Sequence, residues 1–194
     1  MHENYEELKK DIRFEVSLRN FNFKFNSTWG LFSPEHIDEG TELLVNELNV
    51  RDGDSSLDLG CGYGPIGLVM AKLSPRGSVH LIDKDFVSIE YTKKNAEANN
   101  LSNCKIYLSN GFDQVSKDSR FDVIASNLPA KSSKEFYWIL FNDAKRHLNP
   151  GGKFYVVTIS GLKEFIKRNF KDIFGNYIKL KQGRAYTVAM AVNE

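Results

Sequence analysis

The sequence predicts an α/β fold built on a doubly wound, mostly parallel sheet of seven strands that ends in an antiparallel hairpin and carries an N-terminal β-hairpin extension. After residue 50, short apolar runs alternate with helical patterns, which is typical of a parallel sheet with helices on both faces. The last two apolar runs are separated only by Gln182-Gly183-Arg184, too few residues for a helical crossover. Phenylalanines at every second position between residues 21 and 25 predict one strand of the N-terminal hairpin.

The remaining elements follow in chain order. Residues 14–18 and 21–25 pair around Arg19-Asn20, a loop covers residues 28–34, and a helix runs from about 38 to 48. The core strands are predicted near 55–59, 78–82, 104–108, 121–126 and 153–159, and the closing pair at 177–181 and 185–192. The connecting helices are predicted near 65–73, 86–100, 133–147 and 163–173, with a turn at 149–152 before the fifth strand. We interpret residues 1–36 as an extension that packs on one domain formed by residues 37–194.

A glycine-rich turn joins the first core strand to its helix, and it reads Leu57-Asp58-Leu59-Gly60-Cys61-Gly62-Tyr63-Gly64-Pro65-Ile66-Gly67. Glycine is required where the backbone turns with positive φ or lies against a ligand. Such a strand, turn and helix form the small-molecule pocket of a Rossmann-like fold. The spacing also satisfies the dinucleotide pattern G-x-G-x-x-G, but Asp58 favours a cationic ligand, because a carboxylate repels a pyrophosphate. S-adenosylmethionine carries a sulfonium and an ammonium group and meets that requirement.

This turn resembles the first motif of class I S-adenosylmethionine-dependent methyltransferases. The resemblance implies that Asp58 and the loop hold the methionine moiety, the loop residues being Gly60, Cys61, Gly62, Tyr63 and Gly64. We interpret Cys61 as a small packing residue and not as a nucleophile, because the sequence ties no base to it.

Polar residues end the next two strands, where ligands of doubly wound sheets bind. Asp83 is placed to accept hydrogen bonds from both ribose hydroxyls, and the stem of Lys84 can pack over the adenine. In the turn after the third strand, Asn110 stands where many methyltransferases have an aspartate that accepts from the adenine amino group. Gly111 belongs to the same turn, and Phe112 is predicted to flank the adenine. The alternative is a polar turn followed by a buried phenylalanine.

The fourth strand runs into Asn127-Leu128-Pro129-Ala130, which resembles the N-P-P-[aromatic] motif of amino-group methyltransferases. The resemblance implies that the Asn127 side-chain oxygen and the Leu128 carbonyl accept hydrogen bonds from the target amine beside the cofactor. Asn127 and Pro129 match the motif, whereas Leu128 and Ala130 depart from it. Ala130 lacks the ring that stacks on a planar target, so another aromatic residue is needed for that role. The candidates are Trp29, Phe32 and Tyr63.

A second resemblance concerns residues 25–33 and 37–44. They are similar to the opening segment of the "methyltransferase small domain" family, which includes enzymes that methylate the guanine exocyclic amine in small-subunit ribosomal RNA and single-domain relatives. This resemblance implies that Phe32, Gly40 and Thr41 lie near the methionine end of the cofactor. The alternative is that Asp38 and Thr41 only cap and begin a helix.

Composition limits the class of protein further. The chain has 194 residues, of which 41% are hydrophobic and 26% charged, as in ordinary globular domains. Its acidic N-terminus lacks a signal-peptide apolar region, and no apolar stretch reaches the roughly 20 residues needed to cross a bilayer. Two cysteines and four histidines show no metal-ligand spacing. These features predict a cytoplasmic protein without a metal or a membrane partner.

The charge is unevenly distributed. The net charge is +1, but residues 131–194 carry 12 basic and 5 acidic side chains. This basic third is either a contact surface for RNA phosphates or a solvated, lysine-rich surface.

Three functional hypotheses follow. The favoured one is an S-adenosylmethionine-dependent N-methyltransferase that acts on an exocyclic amine, guanine N2 of ribosomal RNA. A second keeps the enzyme and changes the substrate to a protein glutamine or a small-molecule amine, because Ala130 removes the aromatic ring. The third is a non-catalytic binding module that retains the fold, suggested by Asn110 and the altered loop.

Overall fold

The computed structural model describes residues 10–194. The strands are β1 (Ile12–Leu18), β2 (Phe21–Ser27), β3 (Ser55–Leu59), β4 (Ser78–Asp83), β5 (Cys104–Leu108), β6 (Phe121–Asn127), β7 (Leu148–Ile159), β8 (Ile178–Gln182) and β9 (Tyr186–Val192). The helices are α1 (Glu39–Glu47), α2 (Pro65–Leu73), α3 (Phe86–Ala98), α4 (Lys134–His147) and α5 (Lys163–Phe174), and a short 3₁₀ turn, Ser160–Leu162, precedes α5. The acidic residues 1–9, on which part of the N-terminal prediction rests, lie outside the described residues.

The central sheet has seven strands in the order β5-β4-β3-β6-β7-β9-β8. The first five are parallel to one another, whereas β9 runs antiparallel to both β7 and β8. This confirms the mostly parallel sheet with a closing antiparallel hairpin. The strand order reverses between β3 and β6, and ligands of such sheets bind beyond the carboxyl ends of the strands at that point.

The N-terminal hairpin is a separate two-stranded sheet, β1 paired with β2. Its β2 edge is anchored to α3, because Lys24 N donates to Asn99 Oδ1 at 2.9 Å and Asn26 N donates to Asn95 Oδ1 at 2.7 Å. In the hairpin turn, Arg19 donates to carbonyls at the end of α1, including that of Leu48 at 2.9 Å. A guanidinium is stabilising there, because the last helical carbonyls lack internal partners. Phe23 and Phe25 are buried in the core.

The strand β7 begins five residues earlier than the sequence predicts. Leu148 already pairs with Phe121, so the predicted turn at 149–152 is an irregular first part of the strand. Gly151 there has a φ of +77°, and its N–H donates to Asn193 O at 2.7 Å. The Pro-Gly-Gly segment is therefore an irregularity within β7: pairing with β6 resumes at Lys153, opposite Val123, and the backbones of Gly151 and Gly152 hydrogen-bond to Asn193.

None of the helices within residues 10–194 is long and apolar enough to cross a membrane.

Candidate active site

A cavity of about 910 Å³ opens at the carboxyl edge of the parallel strands, where the strand order reverses. This volume lies at the upper end of the range for small-molecule sites. The cavity is lined by thirteen of the sixteen predicted site residues: Phe32, Thr41, Gly60, Cys61, Gly62, Tyr63, Asp83, Lys84, Asn110, Gly111, Asn127, Leu128 and Pro129. The other three, Asp58, Gly64 and Phe112, lie outside its lining.

The glycine loop forms one wall of the cavity. Gly60 and Gly62 adopt φ values of +76° and +56°, and a Cβ added at either position would meet no atom within 4 Å. These glycines are therefore required by the backbone conformation, and they leave open space directly over the loop. The loop is held on the sheet because the N–H groups of Gly60 and Cys61 both donate to Ile82 O at 2.9 Å.

Asp83 closes the loop from the neighbouring strand β4. Its Oδ2 accepts from Gly62 N and its Oδ1 accepts from Asp85 N, each at 2.9 Å. A carboxylate has about four acceptor positions, so two remain for hydroxyl groups of a ligand. Lys84, Asn110 and Gly111 line the same part of the cavity. Together they form the polar half of the cavity, in which we predict that the adenosine lies.

The opposite half of the cavity contains a hydrogen-bonded cluster around Asn127, at the end of β6. Asn127 Nδ2 donates to Asp38 Oδ2 at 2.9 Å and to Thr41 Oγ1 at 3.0 Å. A carboxylate only accepts, so the group that faces Asp38 must be the amide nitrogen. The Asn127 amide oxygen therefore points away from Asp38, and within residues 10–194 it accepts no hydrogen bond. It is a free acceptor at this end of the cavity.

Asp38 is in turn held from two sides. Its Oδ2 also accepts from Thr41 N at 3.0 Å, which makes Asp38 the N-cap of α1, and its Oδ1 accepts from Tyr186 Oη at 2.9 Å. Gly40 permits this arrangement, since an added Cβ would lie 2.8 Å from the Tyr186 ring and 3.0 Å from Asp38 Oδ2. Asp38 and Thr41 therefore cap the helix and also contact the cavity residue Asn127. That Thr41 lies near the methionine end of the cofactor stays a prediction.

Comparison with known proteins shows the family to which the chain belongs. The profile of the family described as "Methyltransferase small domain" matches residues 22–190. The chain belongs to the methyltransferase small domain family. It is 33% identical to the protein YbxB of Bacillus subtilis over 163 residues, covering 81% of each. It is also 32% identical to ribosomal RNA small subunit methyltransferase C of Haemophilus influenzae over 157 residues, which are 78% of this chain and 47% of that protein.

Among solved structures, the 16S rRNA N2 methyltransferase RsmC of T. thermophilus, in complex with AdoMet and guanosine, aligns with a TM-score of 0.86 at 27% identity. The alignment covers 95% of this chain and 51% of that one. The chain thus spans about half the length of the curated ribosomal RNA methyltransferases that it matches. At the level of this domain, it is an S-adenosylmethionine-dependent methyltransferase of the small domain family.

The cavity of this methyltransferase fits its cofactor. The space over Gly60 and Gly62, which any side chain would fill, admits close approach of a ligand to the backbone. Asp83 retains acceptor capacity for the ribose hydroxyls, and the amide of Asn110 can accept from the adenine amino group. We keep these contacts as predictions of where the cofactor lies.

The structure places Asp58 elsewhere than we predicted. The side chain is completely buried beneath the loop, where Oδ2 accepts from Gly67 N at 2.7 Å and joins β3 to the first turn of α2. Oδ1 is buried without a hydrogen-bond partner among the described residues. Burial, with a smaller contribution from the Asp83 charge, raises the Asp58 pKa to about 7, although the Gly67 hydrogen bond lowers it. Asp58 therefore stabilises the loop from beneath and is not part of the cavity wall.

Phe112 and Gly64 also differ from prediction. Phe112 is buried in the core and stacks on the His147 ring, with centroids 4.9 Å apart and planes at 12°, so it does not flank the cavity. Its position after the turn directs the ring under the sheet edge and towards α4. Gly64 is the N-cap of α2 with a φ of +101°, and an added Cβ would approach Thr92 Cγ2 to 3.2 Å. The positive φ and the close Thr92 side chain require this glycine.

The fold explains why leucine is accommodated at position 128, where the motif has proline. Its side chain is buried in the core, and its N–H donates to Val157 O at 3.0 Å, which extends the β6–β7 pairing and which a proline could not do. The remaining polar group of Leu128 is its carbonyl. The next carbonyl, of Pro129, accepts from Tyr137 Oη.

Sequence reasoning missed several residues of the site. Tyr186, at the start of β9, carries no motif, and it reaches Asp38 only because β9 lies beside β7. Phe136 and Ile159 also line the cavity from the start of α4 and the end of β7. The available sequence signal for Phe136 was an aromatic residue that follows the motif loop by six positions. Across the described part of the chain, no cluster of three or more metal-ligating side chains is present.

Proposed function

We propose that this methyltransferase transfers a methyl group to an exocyclic amine of a nucleobase, guanine N2 of ribosomal RNA. The observation that carries the proposal is the fixed orientation of Asn127, whose nitrogen is held by Asp38 and Thr41 and whose oxygen is left free at the cavity. An amine donates two hydrogen bonds and needs two acceptors to hold it. The Asn127 oxygen and the Leu128 carbonyl supply them.

S-adenosylmethionine supplies a methyl group that is already activated by its sulfonium. The task of this chain is therefore positioning. Two acceptors that hold the amine hydrogens direct the nitrogen lone pair towards the transferred carbon, and such alignment lowers the barrier by several kcal/mol (about 7–11 in the best-oriented reactions). Transfer would form the N–C bond as the methyl–sulfur bond of the cofactor breaks, leaving a neutral thioether, and the amine would then release one proton to water. The site therefore needs acceptors for the amine more than a strong base.

The named activities of sequence relatives and the positive charge of residues 131–194 both support an RNA substrate. Relatives named as ribosomal RNA methyltransferases, of both the small and the large subunit, match this chain at 26–32% identity. Residues 131–194, which follow the Asn127 loop, have seven more basic than acidic side chains. Several of these basic residues are exposed and stand at the same edge of the sheet as the cavity, among them Lys131 and Lys134. Such groups neutralise phosphates on binding.

The test is methyl transfer from tritiated S-adenosylmethionine to unmodified small-subunit and large-subunit ribosomal RNA transcripts, with ribosomal proteins as a parallel substrate. Nucleoside analysis of the RNA product is expected to yield N2-methylguanosine. RNA binding is expected to weaken steeply between 50 and 200 mM salt, because counterions return to the phosphates. Label found in protein and absent from both RNAs would overturn the proposal.

A further inference from the structure

Phe136 is an exposed aromatic residue next to the amine-binding loop. It lies in the first turn of α4 and lines the cavity together with Pro129 and Ala130, although 39% of its surface is exposed to solvent. Of the residues predicted to bind the cofactor, only Asn127, which is also predicted to hold the amine, lies on this loop or helix. The ring therefore belongs to the half of the cavity in which Asn127 presents its free oxygen.

The position of Phe136 is fixed by local hydrogen bonds. Ser133 Oγ caps α4 by accepting from Phe136 N at 3.1 Å. The following residue, Tyr137, is buried and donates to the Pro129 carbonyl, so helix and loop are tied together. The Phe136 and Tyr137 rings pack edge to face with centroids 5.8 Å apart. Preorganisation of this kind lowers the entropic cost of holding a ligand against the ring.

The three aromatic residues that the sequence suggested for the role left open by Ala130 are less suited to it. Tyr63 is buried, its hydroxyl donates to Ser33 O and His36 O, and its ring packs edge-on against Phe25 of the hairpin. Trp29 does not line the cavity. Phe32 does, but it is 67% exposed and sits on a loop outside any helix or strand.

We infer that Phe136 supplies the aromatic face on which the acceptor base rests, in place of the ring that Ala130 lacks. A purine presents a π-face to Phe136 while its exocyclic amine donates to Asn127 and Leu128. A glutamine amide offers only a small planar face and an aliphatic amine offers none, so both gain less from the ring than a purine does. The inference rests on the proposed function and narrows it to planar heteroaromatic amines.

The experiment compares variants in steady-state methylation of an unmodified ribosomal RNA transcript, with S-adenosylmethionine affinity measured by calorimetry. Phe136→Ala is expected to lower kcat/KM by about 5- to 140-fold, the effect of losing one base–aromatic stack, through a raised KM for RNA. Cofactor affinity is expected to stay within twofold. Phe136→Tyr, which keeps a ring, is expected to stay near the wild type.

Trp138→Ala is the matched control, because Trp138 is on the same helix, is 56% exposed and does not line the cavity. It is expected to change kcat/KM less than twofold. The double variant Phe136→Ala with Ala130→Phe is expected to recover activity, since it returns a ring to the same cavity wall. Equal values for Phe136→Ala and Trp138→Ala would overturn the inference.

The two proposals fail in different ways. If the wild-type protein methylates ribosomal protein and no RNA transcript, the proposed function is wrong, and the role of Phe136 as the aromatic face for the base is wrong with it. If the wild type methylates RNA at guanine N2 and Phe136→Ala does so equally well, only the role of Phe136 is wrong.

Discussion

The side chain of Asn127 donates to Asp38 Oδ2 over 2.9 Å, although the two residues are 89 positions apart in the sequence. Tyr186 holds the other oxygen of the same carboxylate. Residues from the end of β6, the start of α1 and the start of β9 therefore fix one amide orientation. That orientation presents the Asn127 oxygen to the cavity, where an amine can donate to it.

Replacement of Asn127 is expected to separate cofactor binding from catalysis. Asn127→Ala removes one of the two amine acceptors, so turnover is expected to fall at least about a hundredfold through misalignment. S-adenosylmethionine affinity by calorimetry is expected to remain close to that of the wild type. Asn142→Ala is the control, because the Asn142 amide donates to the Trp138 carbonyl on the helix surface. Wild-type turnover in Asn127→Ala would contradict the assignment.

Asp38 is expected to act on turnover through Asn127 and independently of its role as helix cap. Asp38→Ser retains a good N-cap for Thr41 N, but its shorter side chain cannot also hold Asn127 and Tyr186. We expect its free energy of unfolding to stay within about 1 kcal/mol of the wild type, while kcat falls about tenfold or more. Asp38→Asn, which keeps an acceptor oxygen, is expected to lose less. Parallel kcat and urea-unfolding measurements check this, and a Ser variant that is unstable yet fully active would contradict it.

Gly67 is expected to be required by packing. An added Cβ would lie 2.2 Å from Leu81 Cδ2 and 3.0 Å from Asp58 Oδ2, inside the contact between α2 and the sheet. Gly67→Ala is therefore expected to lower the free energy of unfolding by about 1–3 kcal/mol. Gly161→Ala is the control, because no atom lies within 4 Å of its added Cβ. Thermal unfolding of both variants decides the matter, and equal Tm values would show that Leu81 moves aside freely.

The buried carboxyl of Asp58 is expected to make stability depend on pH. Its pKa is raised by burial from 3.8 to about 7, so folding favours the protonated form. The contribution is fully present below about pH 4 and is lost as pH rises through 7. Asp58→Asn keeps an acceptor for Gly67 N without the charge. We expect it to be more stable than the wild type at pH 8 by about 2–4 kcal/mol, and by clearly less at pH 5.

Urea unfolding of wild type and Asp58→Asn at the two pH values measures this difference. An equal gain at pH 5 and pH 8 would mean that Asp58 does not titrate in that range.

The predicted elements agreed with the structure where the sequence pattern is local. The periods of apolar residues gave the hairpin, the central strands and the helices to within a few residues. The exception, β7, began early because Leu148 pairs with Phe121, and such pairing depends on a strand that lies 27 positions away in the chain.

What the sequence determined by itself was the chemistry of individual loops. Glycines at 60 and 62 predict positive φ and an open backbone, because these properties belong to the residue type. The amine-binding role of Asn127 and Pro129 rests on the resemblance of their loop to a family motif and stays a prediction. Only the tertiary structure decided which side chains share the cavity. Because β3 pairs with β6, the glycine loop after β3 lies beside Asn127 at the end of β6. The Asp58 side chain points from β3 into the interior, so it does not reach the cavity. The same packing places Tyr186 against Asp38 and Phe136 in the wall of the cavity. These contacts depend on the order of the strands in the sheet, which no local sequence pattern encodes.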